Sequence, residues 1–244
     1  MTTILTLGGG GHTMPHVHGL PFSPIDELAL ELTGKDRPAV CYVGTAGGDE
    51  PGPALRFREV FADVARPTVL TLFNREEPDA FGTDAIGPGD LERILEQDLV
   101  YVGGGSTANL LALWRLHGLD LLLAEAAERG TVLVGVSAGG NCWFEGSSTG
   151  SFGPLRPLGD GLGLLPGSNC PHYGGEPGRR EGFEQAVASG VLPDGYGVDD
   201  GGALLWRDGV LVEAVAETAS AGVVRVRRTP DGSVSEPVAV RRLV

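Results

Sequence analysis

The sequence predicts an α/β fold: a mostly parallel sheet flanked by helices on both faces, with a small antiparallel extension at the C-terminal end. Two observations carry the main part. Short apolar runs recur along the first half of the chain as unbroken stretches rather than alternating patterns, which is how strands buried on both faces read. Segments with helical spacing separate them, as crossovers between parallel strands require. A third observation adds the antiparallel part: after Gly182 the pattern changes to closely spaced short strands and turns.

Residues 4–7 form the first strand and run into Gly8-Gly9-Gly10-Gly11. Pro24 supplies a start signal for a helix over 26–32. A second buried strand covers 39–43, a helix 54–64 and a third strand 68–72. A short helix over 90–96 leads to a strand over 99–102, which ends in Gly103-Gly104-Gly105. Helices over 108–116 and 121–128 are separated by Gly118, and a strand follows over 131–134. Towards the end, 203–206, 210–215, 223–226 and 238–240 read as short strands. Arg207-Asp208-Gly209 and Thr229-Pro230-Asp231-Gly232 are the hairpin turns between them. No repeat, low-complexity tract or linker divides the chain, so 1–244 is expected to be a single domain.

Composition excludes several classes. With 18 Lys and Arg against 32 Asp and Glu, the net charge is -14, and the basic stripe that a nucleic-acid binder needs is missing. No stretch reaches the ~20 apolar residues of a membrane helix. The first residues carry neither a basic region nor a long apolar core, so no signal peptide is expected. The cysteines, Cys41, Cys142 and Cys170, are odd in number, and Cys41 lies in a buried strand; a disulfide framework is not expected, and a reducing cytoplasm is the expected compartment.

The strand over 131–134 runs into Gly135-Val136-Ser137-Ala138-Gly139. A buried strand, G-x-S-x-G and a helix start together make a nucleophile elbow. Small flanking residues allow the sharp turn, the serine hydroxyl is left exposed, and the next N–H is free to bind an oxyanion. A serine needs a base, and the base an acidic orienter. Of five histidines, His117 reads as a helix-end residue, whereas His172 lies in the turn-rich segment Ser168-Asn169-Cys170-Pro171-His172-Tyr173-Gly174-Gly175, which suits a site rim. The acid is Asp199 or Asp200: in an extended segment the two point to opposite sides, so one can face the site. The glycine cluster at 103–105 lacks the phosphate-loop pattern and reads as an oxyanion loop. His12, His16 and His18 form H-x-x-x-H-x-H without a nearby acid, so no metal site is expected.

Taken together these residues resemble the peptidase E family of serine peptidases, which includes aspartyl dipeptidases and is related to cyanophycinases. The resemblance rests on Gly8–Gly11, on Tyr101-Val102-Gly103-Gly104-Gly105-Ser106-Thr107-Ala108-Asn109-Leu110-Leu111, on the elbow with Trp143, on Asn169-Cys170-Pro171-His172-Tyr173 and on Val198-Asp199-Asp200-Gly201. It implies a fold similar to class I glutamine amidotransferases, Ser137 as nucleophile, His172 as base, and Asp200 where the family has glutamate before glycine. The implied oxyanion donors are the N–H groups of Gly105 and Ala138. Ser106 stands where the family often has Asn, and Arg179 lies one residue beyond the family's arginine for an acidic side chain; both are implied substrate contacts. The expected activity is hydrolysis of short peptides, dipeptides with N-terminal Asp among them, without a cofactor. The expected partner is a small peptide, with neither nucleic acid nor membrane, and a homodimer stays open. The alternatives are an isopeptidase or esterase with the same triad, or a catalytically silent glutamine amidotransferase-like binding module.

Overall fold

The computed structural model describes residues 1–20, 22–73 and 81–243. The chain runs β1 (Thr3–Leu7), α1 (Pro15–His18), α2 (Pro24–Glu31), β2 (Ala39–Val43), α3 (Pro51–Phe61), β3 (Arg66–Leu70), β4 (Leu99–Val102), α4 (Thr107–His117), α5 (Leu119–Glu128), β5 (Val132–Val136) and α6 (Ala138–Asn141). It continues through β6 (Phe144–Thr149), β7 (Arg156–Leu158), β8 (Leu165–Pro171), α7 (Arg179–Ala188), β9 (Gly195–Val198), β10 (Gly202–Arg207), β11 (Val210–Ala216), β12 (Val223–Thr229), β13 (Gly232–Pro237) and β14 (Val240–Arg242). Residues 91–96, expected as a short helix, form a 3-10 helix.

An eight-stranded sheet has the order β14-β11-β10-β1-β5-β4-β2-β3. From β1 to β3 every pairing is parallel. Alternate residues of these strands enter different cores, which is why their sequences are apolar throughout. Leu5, Tyr42 and Tyr101 pack with Ile25, Phe57 and Phe61 on one face. Ile4, Cys41, Val43, Val100 and Val102 pack with Trp114 and Leu123 on the other. The fold class is therefore the expected one. Local chemistry sets the helix ends: Ser23 Oγ accepts from the N–H groups of Ile25 and Asp26 at the start of α2, at 3.1 and 3.3 Å. Gly118, at φ 73, provides the left-handed residue between α4 and α5.

The antiparallel strands near the C-terminus are present, but they are shared between two sheets. β10 pairs antiparallel with β1 and continues through β11, which pairs in parallel with β14. Asp208 and Gly209, at φ 48 and 74, make the left-handed turn between β10 and β11. β12 and β13 instead belong to a mixed six-stranded sheet of order β13-β12-β9-β8-β6-β7. The reason is burial: Ala203, Leu204, Leu205 and Trp206 of β10 are all inaccessible, so this strand requires cover on both faces and a place inside the main sheet.

Candidate active site

Three strand ends of the main sheet meet: the carboxyl ends of β1, β4 and β5 deliver Gly8–Gly11, Gly103–Gly105 and Ser137 to one edge. Ser137 has φ 53 and ψ -114, a conformation few non-glycine residues adopt. Close approach of backbones holds it there. A Cβ on Gly135 would lie 2.1 Å from Gly139 O, and one on Gly139 would lie 2.3 Å from Val102 O. Both G positions of G-x-S-x-G are thus sterically required. The Ser137 N–H donates to Leu7 O at 3.1 Å, tying the turn to β1.

His172 follows the end of β8 at φ 53. Its Nε2 lies 2.8 Å from Ser137 Oγ and its Nδ1 2.5 Å from Asp200 Oδ1. An ionised carboxylate can only accept, so Nδ1 carries the ring proton and Nε2 accepts from the serine hydroxyl. The hydrogen bond from His172 holds the Asp200 carboxyl below its usual range, against an opposing effect of burial; the charges of His172, Arg179 and His16 act in the same lowering direction. The arrangement is competent to take a proton from the serine and to stabilise the imidazolium that results.

Asp199, the other candidate acid, is committed elsewhere. Its two oxygens accept from the N–H groups of Gly174 at 2.8 Å and Gly222 at 2.9 Å, fastening the His172 loop to the start of β12. Asp200 sits between β9 and β10, where the chain passes from one sheet to the other. Behind it, Gly9 bridges to Asp200, and the Gly201 N–H donates to Gly9 O at 2.8 Å. A Cβ on Gly9 would lie 2.2 Å from Asp200 Oδ1 and 2.9 Å from His172 Cε1. The first glycine cluster is thus the floor under the acid, a role not evident from its composition. The buried Glu217 props this floor: it accepts from Gly11 N–H at 3.0 Å and from Ser23 Oγ, while its own N–H donates to Gly201 O at 2.9 Å.

The peptide between Gly104 and Gly105 passes beside the serine. A Cβ on Gly104 would stand 3.4 Å from Ser137 Cβ and 3.8 Å from Ser137 Oγ, at ordinary contact distance. Among the described residues, neither the Gly105 N–H nor the Ala138 N–H has an acceptor. Ser106 caps α4, its Oγ accepting from Asn109 N–H at 3.2 Å. Arg179 is buried, and its Nε and Nη2 both donate to Glu176 Oε2, at 2.9 and 2.5 Å. Its charge is therefore largely matched within the chain.

A further link escaped sequence reasoning. Asn169 Nδ2 of β8 donates to Asn141 Oδ1 of α6 at 2.9 Å, and Asn141 Nδ2 donates to Ser148 O at 3.2 Å. Both amides are buried and join the strand carrying His172 to the helix that follows Ser137. The available signal was a lone asparagine in the otherwise small and apolar elbow helix. Cys142, Cys170 and Cys41 are buried and free, and burial pushes each thiol up, that of Cys170 to about 12. His12, His16 and His18 do not converge: His18 Nε2 donates to Gly11 O at 3.2 Å, while His12 is enclosed by aromatic rings. Among the described residues no cluster of His, Cys, Asp or Glu has the placement of a metal site, and no helix is long and apolar enough to cross a membrane.

The chain is 36% identical to YgaJ of Bacillus subtilis strain 168, an uncharacterized peptidase, over 244 residues and the full length of both. Peptidase E of Salmonella arizonae is 38% identical over 85 residues, 34% of this chain and 37% of that protein. Among solved structures, a peptidase from an acI-B1 actinobacterium superposes with a TM-score of 0.66 at 16% identity, covering 97% of this chain and 95% of the other. A protein of Listeria monocytogenes assigned to peptidase E gives 0.57 at 18% identity, covering 87% and 97%. At these identities the structural likeness speaks for the fold alone. The sequence likeness goes further: residues 4–213 match the model of peptidase family S51, and the chain belongs to that family of serine peptidases.

Proposed function

We propose that Ser137, His172 and Asp200 act as a catalytic triad cleaving short peptides, dipeptides with N-terminal Asp among them. The observation that carries this reading is the unbroken hydrogen-bond chain from Asp200 through His172 to Ser137. In the first half-reaction His172 Nε2 takes the hydroxyl proton as Ser137 Oγ bonds to the scissile carbonyl carbon. The carbonyl oxygen becomes the oxyanion, facing the N–H groups of Gly105 and Ala138; one such donor is typically worth ~3 kcal/mol. The C–N bond then breaks, and the amine leaves with the proton from His172. In the second half-reaction a water gives its proton to His172 and attacks the acyl carbon, and Ser137 regains its proton as the acid departs. Asp200 holds the ring tautomer throughout. No step calls on a cofactor. The three free, buried cysteines fit a reducing compartment, and we place the enzyme in the cytoplasm.

The test is hydrolysis of Asp-X and other short chromogenic peptides. Ser137→Ala and His172→Ala should each lower kcat by about 10³-fold or more, with an unchanged circular-dichroism spectrum. Full activity in either variant would overturn the mechanism.

A further inference from the structure

Beside the proposed nucleophile lies a cavity of about 350 Å³, lined by His12, Thr13, Tyr42, Arg56, Gly104 and the first turn of α3. It shares Gly104 with the surroundings of Ser137: a Cβ on Gly104 would stand 3.8 Å from Ser137 Oγ. Its size lies at the lower end of small-ligand sites, which run to ~1,000 Å³. The lining is polar in a specific way. Arg56 makes no hydrogen bond or ion pair among the described residues, whereas most other arginines of the chain do, Arg179 included. Among the described residues the Tyr42 hydroxyl likewise makes no hydrogen bond, and it fills the space a side chain at Gly103 would need. His12 is buried; among the described residues its ring nitrogens have no hydrogen bond, and its Nδ1 lies 3.6 Å from Asp26 Oδ2. The acids whose charges act on Tyr42 are Asp49 and Glu50; Asp49 already accepts from Thr71 Oγ1 and from the N–H groups of Leu72 and Phe73, and Glu50 lies exposed at the start of α3. Burial, reinforced by those two charges, pushes the Tyr42 phenol up to about 12, so it stays a hydrogen-bond donor at neutral pH.

A guanidinium and a phenol without partners among the described residues, in a cavity that shares Gly104 with the surroundings of Ser137 and in a chain of net charge -14, suit an anion. We propose that this cavity is the subsite that holds a carboxylate of the substrate, with Arg56 as its cation and Tyr42 as a second donor, in place of the internally paired Arg179. The reading rests on the triad proposed above. The carboxylate has two possible sources, an acidic side chain or the free C-terminus of a very short peptide, and the chemistry of recognition is the same for both.

Two measurements test it. The first is kcat/KM for matched pairs of substrates in the wild type, Arg56→Gln, Arg56→Lys and Arg179→Gln: Asp-X against Asn-X, and free C-terminal acid against C-terminal amide. The acid-to-amide ratio should fall about 10- to 100-fold in Arg56→Gln, chiefly through KM, with partial retention in Arg56→Lys. The pair that loses its preference identifies the source of the carboxylate. An unchanged ratio in Arg56→Gln, or the same loss in Arg179→Gln alone, overturns the proposal. The second measurement is independent of turnover: calorimetric binding of succinate to the whole protein. Binding by the wild type and its loss in Arg56→Gln is the expected result. No binding to the wild type, or equal binding to both, removes the subsite whether or not the triad is active. Labelling of Ser137 by an uncharged serine-directed phosphonate reports on the triad separately.

Discussion

At the scale of single residues, the site is built from conformations that side chains resist. Ser137 and His172 both sit at φ 53. Backbone in such regions costs of order 1–3 kcal/mol. Ser137→Gly should therefore raise stability to chemical denaturation by about 1 kcal/mol, whereas Ser137→Ala should not, although both lose activity. Gly9→Ala tests the floor under the acid. The added methyl would displace Asp200 and His172, so kcat should fall with little change in KM; an unaltered kcat would show that the carboxylate tolerates the shift. Asp200 also gives a pH signature. Its folded carboxyl titrates below the usual value, so its contribution to stability is complete above the unfolded value of ~3.9 and is lost as pH falls through the folded one. The stability difference between wild type and Asp200→Asn, read from urea titrations, should accordingly shrink as the solution is taken from about pH 5 into more acid conditions. Ser137, His172 and the pair Asp199 and Asp200 stood out in the sequence because each occupies a motif of small and turn-forming residues. The choice between Asp199 and Asp200 followed from the family resemblance, and in the structure the two carboxylates meet different partners. The pairing of Arg179 with Glu176 and the isolation of Arg56 depend on side-chain placement across elements, which no local pattern encodes.

At the scale of elements, strands with continuous apolar sequence were read to within a few residues, and β8 was not. Leu165–Pro171 contains two prolines, a glycine and no β-branched residue, so it resembles a loop. It is a strand because its neighbours β6 and β9 pair with it and its last residues are buried. The consequence reaches the site, since a strand end fixes His172 more firmly than a free loop would. The Asn141–Asn169 bond sets the distance between that strand and the elbow helix. Asn169→Ala leaves Asn141 Oδ1 buried without its donor, which should cost about 1–3 kcal/mol in urea unfolding. The same variant should lose kcat beyond any loss of folded protein, as measured on material shown to be folded under assay conditions.

At the scale of the whole molecule, parallel order from β1 to β3 was readable from the alternation of buried runs and helices. The partition of the C-terminal strands was less so, because short antiparallel strands carry no mark of the sheet they will join. What decided it was two-sided burial in β10, against the partial exposure of β12 and the absence of buried residues from β13. The division bears on Ser137, which ends a strand of one sheet, and on His172, which ends a strand of the other, with Asp200 at the crossing between them. If the proposed triad carries the chemistry, activity becomes a gauge of alignment between two separately woven layers. A sideways slip beyond about 0.5 Å, too small for any spectroscopic probe of secondary structure, would then be expected to lower turnover. In rising urea, turnover should disappear at a lower concentration than the circular-dichroism signal; coincident midpoints would mean that the layers hold together until the chain unravels as one.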